Sequence, residues 1–135
     1  APEERRGNSR RAGAVASLFA AAGLIVTAAF TPPVRAGREA AREAIGAARF
    51  LEVSLDAPLA VCERRDPKGL YRRARAGEIA EFTGISAPYE PPEAPALALD
   101  TAHEELAVSA RRIVELLAAR GFLTGEAPPG EREAR

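Results

Sequence analysis

The sequence predicts an α/β fold, a parallel sheet flanked by helices and joined by right-handed crossovers. Three observations carry this. Short apolar runs occur at Leu24–Phe30, Phe50–Leu55 and Ala96–Leu99. Segments with helical spacing separate them. The first run is apolar throughout and holds Ile, Val and Thr, which suits a strand buried on both faces.

The elements follow in order. Asn8 to Ala22 reads as a helix, with Val15, Leu18, Phe19 and Ala22 at i, i+3, i+4 and i+7 and with Arg10 and Arg11 near its start. Gly23 ends it. The strand Leu24–Phe30 stops at Thr31-Pro32-Pro33, because proline cannot donate to a ladder and biases its predecessor away from helix. Arg35 to Ala48 is a helix rich in Ala, Arg and Glu, and Phe50 to Leu55 is the second strand, with Leu51, Val53 and Leu55 on one side. Asp56 suits the N-cap of a helix from Ala57 to Arg65. A short basic helix covers Leu70 to Arg75 and ends at Gly77. The glycine and prolines of residues 82–95 make a loop, and Ala96–Leu99 is a short strand. Leu106, Ala110, Ile113, Val114 and Leu117 form the apolar face of a last helix ending at Gly121. The domain is placed at residues 1–123, followed by a disordered tail over 124–135.

Composition fits one small domain: 135 residues, 47% hydrophobic and 28% charged. The 19 basic and 19 acidic residues cancel, which excludes a globally basic nucleic-acid binder. Of the 19 basic residues only Lys68 is a lysine. A single Cys62 excludes an intramolecular disulfide and a multi-cysteine zinc site, and a single His103 argues against a histidine-rich metal centre. Both read as ordinary residues, Cys62 as a small buried hydrophobe and His103 as a surface side chain. The longest apolar stretch, Ala12–Phe30, is broken by Ser17, Gly23 and Thr27, so it reads as helix then strand and not as a membrane span. No signal-peptide pattern appears, and a cytoplasmic setting is the expectation.

In parallel sheets ligands bind beyond the carboxyl ends of the strands, here Phe30-Thr31-Pro32, Leu55-Asp56 and Leu99-Asp100. The adjoining stretch 62–75 sets Arg64, Arg65, Lys68, Arg72, Arg73 and Arg75 against only Glu63 and Asp66. It is either a solvated helix face or a basic lid that closes over a polyanion, with arginine forks and the lysine point charge as anion donors. Asn8, among Arg5, Arg6, Arg10 and Arg11, is either a helix N-cap or, with Arg5, a contact to an anionic nucleotide at a helix start. Phe82, in Phe82-Thr83-Gly84-Ile85, is either a loop anchor or a platform for a base. No Gly-x-Ser-x-Gly, His-Glu-x-x-His, Cys-x-x-Cys or Walker A pattern is present.

Four blocks resemble the adenylylsulfate kinase (APS kinase) family. Arg5-Arg6-Gly7-Asn8-Ser9-Arg10-Arg11 is similar to the family's Arg-Glu-Glu-Asn-Ile-Arg-Arg. Phe30-Thr31-Pro32-Pro33-Val34-Arg35 is similar to Phe-Ile-Ser-Pro-Tyr-Arg. Cys62-Glu63-x-Arg65-Asp66-x-Lys68-Gly69-Leu70-Tyr71, running on to Ile79, resembles the family's lid, and Phe82–Ile85 with Pro88–Pro92 completes the pattern. The match covers residues 4–123. The resemblance implies a P-loop NTPase-like sheet and transfer of the γ-phosphate of ATP, with Mg²⁺, to the 3′-hydroxyl of adenosine 5′-phosphosulfate, giving PAPS for sulfate assimilation. It implies that Arg5, Asn8, Thr31, Pro32, Lys68 and Phe82 bind adenosine 5′-phosphosulfate. Arg65, Thr101 and Glu104 fall on the ATP side. It implies a homodimer, fusion to or association with a sulfate adenylyltransferase, and no nucleic-acid or membrane partner.

The sequence departs from the family at three places. Pro32 and Val34 stand where the family has Ser and Tyr, and Gly7 and Ser9 where it has Glu and Ile. Nothing corresponds to the family's first strand, its Walker A loop, or the Asp-Gly-Asp-Asn block that holds its base. The resemblance therefore implies a C-terminal portion with no catalytic residue and no metal ligand of its own. The family's strand order sets the absent first strand between those ending at Phe30 and Leu55, so the free chain is expected to fold poorly unless the rest is supplied. The alternative is a non-catalytic remnant that binds nucleotide or pairs with another subunit. A related small-molecule kinase with a different acceptor is the third reading.

Overall fold

The computed structural model describes residues 2–123, with side chains from residue 7 onward. The side chain of Arg5 and the expected tail over 124–135 lie outside the described residues. The elements are α1 (Pro2–Ala21), α2 (Arg35–Ile45), β1 (Val53–Asp56), α3 (Leu59–Arg65), α4 (Leu70–Arg75), β2 (Leu97–Asp100) and α5 (Leu106–Ala119). The sheet of the described residues is one parallel pair, with Val53 opposite Leu97 and Asp56 opposite Asp100. The β1–β2 connection passes through α3 and α4, as a parallel crossover must. Leu99, wholly inaccessible to solvent, is the centre of the core.

The first expected strand does not form. Leu24–Phe30 lies in no helix or strand, and Leu24, Ile25, Val26 and Phe30 are exposed. A strand exists through its ladder, and no described strand lies beside this segment to pair with it.

Helix α1 packs on α2, but not through the expected face. Val15, Leu18 (73% exposed) and Phe19 point outward, while Ser9, Gly13 and Ala16 are buried. The cause is close approach of the two backbones. A Cβ on Gly13 would lie 3.0 Å from the Ala41 carbonyl oxygen and 3.2 Å from the Ala44 Cβ. Large side chains on that stripe would push the helices apart. Because α1 begins at Pro2, Asn8 sits in its interior and is not its N-cap.

The other corrections are smaller. Helix α2 stops at Ile45, where Gly46 takes a φ of 90°. The strand expected at Phe50–Leu55 forms at Val53–Asp56, so Asp56 is the last strand residue and not a helix cap; α3 follows Pro58 with no side-chain cap. On α5 the inward residue is Ser109, and Leu106 is 86% exposed. Ser109 Oγ donates to Glu104, which also pairs with Arg112, so a polar cluster sets that helix's rotation.

Candidate functional site

The carboxyl ends of the strands open onto a cavity of about 790 Å³, within the range of small-molecule sites. Thr31, Asp56 and Thr101 supply the strand-end side, and Tyr71, Phe82 and Gly84 the opposite side. Thr101 is pinned at the base. Its backbone N–H and its hydroxyl each donate to the Asp56 carbonyl at 2.8 Å. That pair ties the ends of β1 and β2 together and leaves the Asp56 carboxylate at the cavity edge.

Phe82 is held by a tight loop. Its carbonyl accepts from the N–H groups of Ile85, Ser86 and Ala87, and its own N–H donates to Ser86 Oγ at 2.9 Å. The Tyr71 ring meets the Phe82 ring edge-on at 5.0 Å between centroids, with 72° between planes. The ring is thus anchored on one side, as the loop-anchor reading expects, and it lines the cavity. Tyr71 is itself held in its neutral form. Desolvation raises its pKa, and Cys62, Asp66 and Glu63 add to the rise.

The lid is clamped by its own charges. Asp66 accepts from the N–H groups of Tyr71 and Arg72, both at 3.1 Å, and so caps the start of α4 from the preceding turn. Burial pushes the Asp66 carboxyl up, but the hydrogen bonds from Arg72, Tyr71 and Leu70 and the Arg72 charge outweigh it, so its pKa is lowered. Gly69, at a φ of 65°, makes the left-handed turn that a larger residue would strain. Arg75 joins Glu63 through Nε and Nη2, at 2.9 and 2.6 Å, and Arg73 pairs with Glu78 at 3.0 Å.

The turn after Phe30 is fixed from two sides. Arg38 Nη1 donates to the Pro32 carbonyl at 3.2 Å, and the Glu90 N–H donates to the Pro33 carbonyl at 2.8 Å. The Glu90 carboxylate accepts from the Arg35 N–H at 2.6 Å, capping α2 from 55 residues away. Arg38, only 10% exposed, also lies 2.9 Å from Glu52 Oε1, a buried oxygen without a well-aligned hydrogen bond. Pro32 has no N–H and its carbonyl is taken, so Thr31 is the member of this turn that faces the cavity.

The expected site residues are therefore only partly gathered. Thr31, Phe82 and Thr101 share the cavity. Pro32 lines a neighbouring groove with Ser9 and Arg38. Lys68 lines a separate polar cleft with Glu63, Asp66 and Arg72 and not the cavity. Asn8 is exposed on α1 and accepts from Arg11. Arg65 is exposed at the end of α3, and Glu104 is engaged with Ser109 and Arg112. Sequence reasoning placed Asp56 at a strand's carboxyl end where a ligand is expected, but gave its side chain only a helix-cap role, and it gave Tyr71, inside the lid motif, no role.

Among the described residues no group of three His, Cys, Asp or Glu side chains could hold a metal ion. No described helix is long and apolar enough to cross a membrane.

The family model of adenylylsulphate kinase matches residues 1–100. The adenylyl-sulfate kinase of Acaryochloris marina is 50% identical over 121 residues, covering 90% of this chain and 59% of its own length. The bifunctional enzyme NodQ of Azospirillum brasilense is 53% identical over 119 residues, 88% of this chain and 19% of its own. Among solved structures, the Mycobacterium tuberculosis APS kinase CysC in complex with AMPPNP and APS superposes with a TM-score of 0.78 at 42% identity, over 86% of this chain and 68% of that one. This chain thus spans about half to three-fifths of the length of the adenylyl-sulfate kinases it matches.

Proposed function

The chain belongs to the adenylylsulphate kinase family, and on that premise we propose that it forms the acceptor and lid side of an enzyme that phosphorylates adenosine 5′-phosphosulfate. In that reaction the 3′-oxygen of the acceptor forms a bond to the γ-phosphorus of ATP, the bond to the β-phosphate oxygen breaks, and the 3′-hydroxyl loses its proton. The products are PAPS and ADP. The observation that carries the reading is the cavity at the strand ends, which combines an anchored aromatic ring, two strand-end threonines and an adjoining basic lid.

Within it, Phe82 offers its open side to the adenine, Thr31 lines the acceptor, and Lys68 reaches the anionic end when the lid turns inward. Arg5, Asn8 and Pro32 complete the acceptor side. Arg65, Thr101 and Glu104 belong to the ATP side, where Glu104 acts through the ion pair with Arg112. Among the described residues no three His, Cys, Asp or Glu side chains gather to hold an ion, so Mg²⁺ is assigned no ligand among them and no step through it is derived. The general base is likewise assigned to polypeptide outside residues 1–135. A homodimer and a fused or associated sulfate adenylyltransferase are the proposed assemblies. NodQ, a bifunctional relative, supports the second.

Calorimetric titration of the 135-residue chain with adenosine 5′-phosphosulfate tests this reading. Saturable binding is expected, and its absence from a preparation that circular dichroism and a cooperative melt show to be folded overturns it. Lys68→Ala is expected to weaken that affinity about tenfold or more, the value of a charge-assisted contact. Unchanged affinity removes Lys68 from the site.

A further inference from the structure

Residues 88–93 form a strap between two sides of the ligand cavity. On one side is the loop that holds Phe82. The N–H groups of Ile85, Ser86 and Ala87 close it on the Phe82 carbonyl, and the Gly84 N–H donates to the Ala87 carbonyl at 2.9 Å. Pro88 leaves this loop with its φ fixed by its ring. On the other side is the turn after Phe30. The Glu90 N–H donates to the Pro33 carbonyl at 2.8 Å, the Glu90 carboxylate accepts from the Arg35 N–H at 2.6 Å, and Glu93 pairs with Arg35. Tyr89 lies between these two attachments, and it lines the cavity.

The chemistry of the cavity gives this tyrosine a use. Among the described residues no lysine or arginine lines it. An anionic group seated there is therefore met by neutral donors. Thr101 is spent on the Asp56 carbonyl, and Tyr71 is turned toward Phe82 and Cys62. The hydroxyls of Thr31 and Tyr89 have no hydrogen-bond partner among the described residues. Both stand at the same turn, Thr31 as its first residue and Tyr89 beside the residue that bonds to Pro33. A hydroxyl that donates to a phosphate or sulfate oxygen makes a charge-assisted bond, stronger than one between neutral groups.

We propose that Tyr89 is a further acceptor-contacting residue, its hydroxyl donating beside that of Thr31 to an oxygen of the 5′-phosphosulfate, and that Glu90 is the positioning residue that holds it there. The inference rests on the reading of this cavity as the site for adenosine 5′-phosphosulfate. It divides the ligand between two parts of one short stretch, with Phe82 at the base and Tyr89 at the anion. The distance between them is set by the closed loop and by the bond from Glu90 to Pro33.

The test titrates the folded 135-residue chain and its variants with adenosine 5′-phosphosulfate and with adenosine. Tyrosine emission reads occupancy, since the chain has no tryptophan and its two tyrosines both line the cavity. Tyr89→Phe keeps the ring and removes the hydroxyl. It should weaken binding of adenosine 5′-phosphosulfate about tenfold and leave that of adenosine unchanged. Glu90→Ala should show the same selective loss. Glu90→Gln, which keeps an oxygen acceptor for the Arg35 N–H, should restore most of the affinity. Unchanged affinity in Tyr89→Phe overturns the proposal, and so does equal weakening of both ligands, which would set the hydroxyl against the nucleoside. A loss in Glu90→Ala that Glu90→Gln does not restore overturns the part given to Glu90. Failure of the unaltered folded chain to bind adenosine 5′-phosphosulfate overturns the functional reading and this inference together, whereas equal binding by that chain and Tyr89→Phe overturns the inference alone.

Discussion

Leu99 and Leu24 are both aliphatic side chains in apolar runs outside the helices, and the molecule treats them oppositely. Leu99, on β2, has a strand beside it and is fully covered; Leu24 has none and is 56% exposed. The same contrast separates two halves of the chain. Around β1 and β2, the facing strand edges are paired, the ends are tied by Thr101, and the basic segment 62–75 carries its own ion pairs. Around Leu24–Phe30, helices α1 and α2 make a close-packed floor with nothing on it. Hydrophobic residues alone do not make a core; they need a partner surface of matching direction and register.

Core truncation offers the largest expected effect that could break this comparison. Leu99→Ala should cost about 2–5 kcal/mol, as for a buried leucine whose site cannot fully collapse. Val26→Ala, on the open segment, should change the stability of the chain alone by no more than about 0.5 kcal/mol. Urea midpoints of the two variants measure both. Comparable losses would mean that Leu24–Phe30 is already covered.

Next comes the helix contact. Gly13→Leu places a branched side chain where even a Cβ would be 3.0 Å from backbone. It should cost about 1–3 kcal/mol, read as a lower melting temperature. A neutral result would show that α1 and α2 are not locked together.

What the sequence revealed follows the same division. The lid helix Leu70–Arg75 matched its expected bounds, because glycines and a dense charge pattern mark it locally. The parallel pairing of the runs near Val53 and Leu97 followed from apolar patterning. The face of α1 did not, since apolar spacing at Val15, Leu18 and Phe19 marks a stripe without saying which surface covers it. Gly13 decided the packing instead, through a close approach that shows only when α2 is in place. Of the nine expected site residues, three line one cavity. Thr31, Phe82 and Thr101 converge, while Lys68 lines a separate polar cleft, since the motif marks its residue type but not the direction of its side chain. Asp56 was legible as a strand end, but not as distinct from a helix cap, because an aspartate before a helix and one ending a strand look alike in sequence.

Arg38 links the two halves, so its removal sharpens the comparison. It reaches from α2 to the Pro32 carbonyl and to Glu52 at the entrance to β1. Arg38→Ala leaves Glu52 with a buried oxygen and frees the Thr31–Pro33 turn, at an expected cost of about 1–3 kcal/mol. Hydrogen exchange should then rise near Phe30 and at the start of β1, with little change in α4. A uniform rise would point to general destabilisation.

The smallest effect concerns the lid, and its sign follows from Asp66. The folded-state pKa of this carboxyl lies below its ordinary value of 3.8. Its contribution is therefore fully present at pH values above the unfolded-state pKa and is lost as pH falls through the folded-state value. Protonation weakens the acceptor that caps Tyr71 and Arg72, so α4 should loosen in acid before the Leu99 core does. Amide exchange at Leu70–Arg75, corrected for the intrinsic pH dependence of exchange, should show this loss of protection below about pH 4. Asp66→Asn keeps an oxygen acceptor but no titrating charge. In that variant α4 should be less protected at neutral pH, and the acid-dependent step should vanish. If the step persists in Asp66→Asn, another carboxylate governs the lid, and Glu63, paired with Arg75, is the next to test.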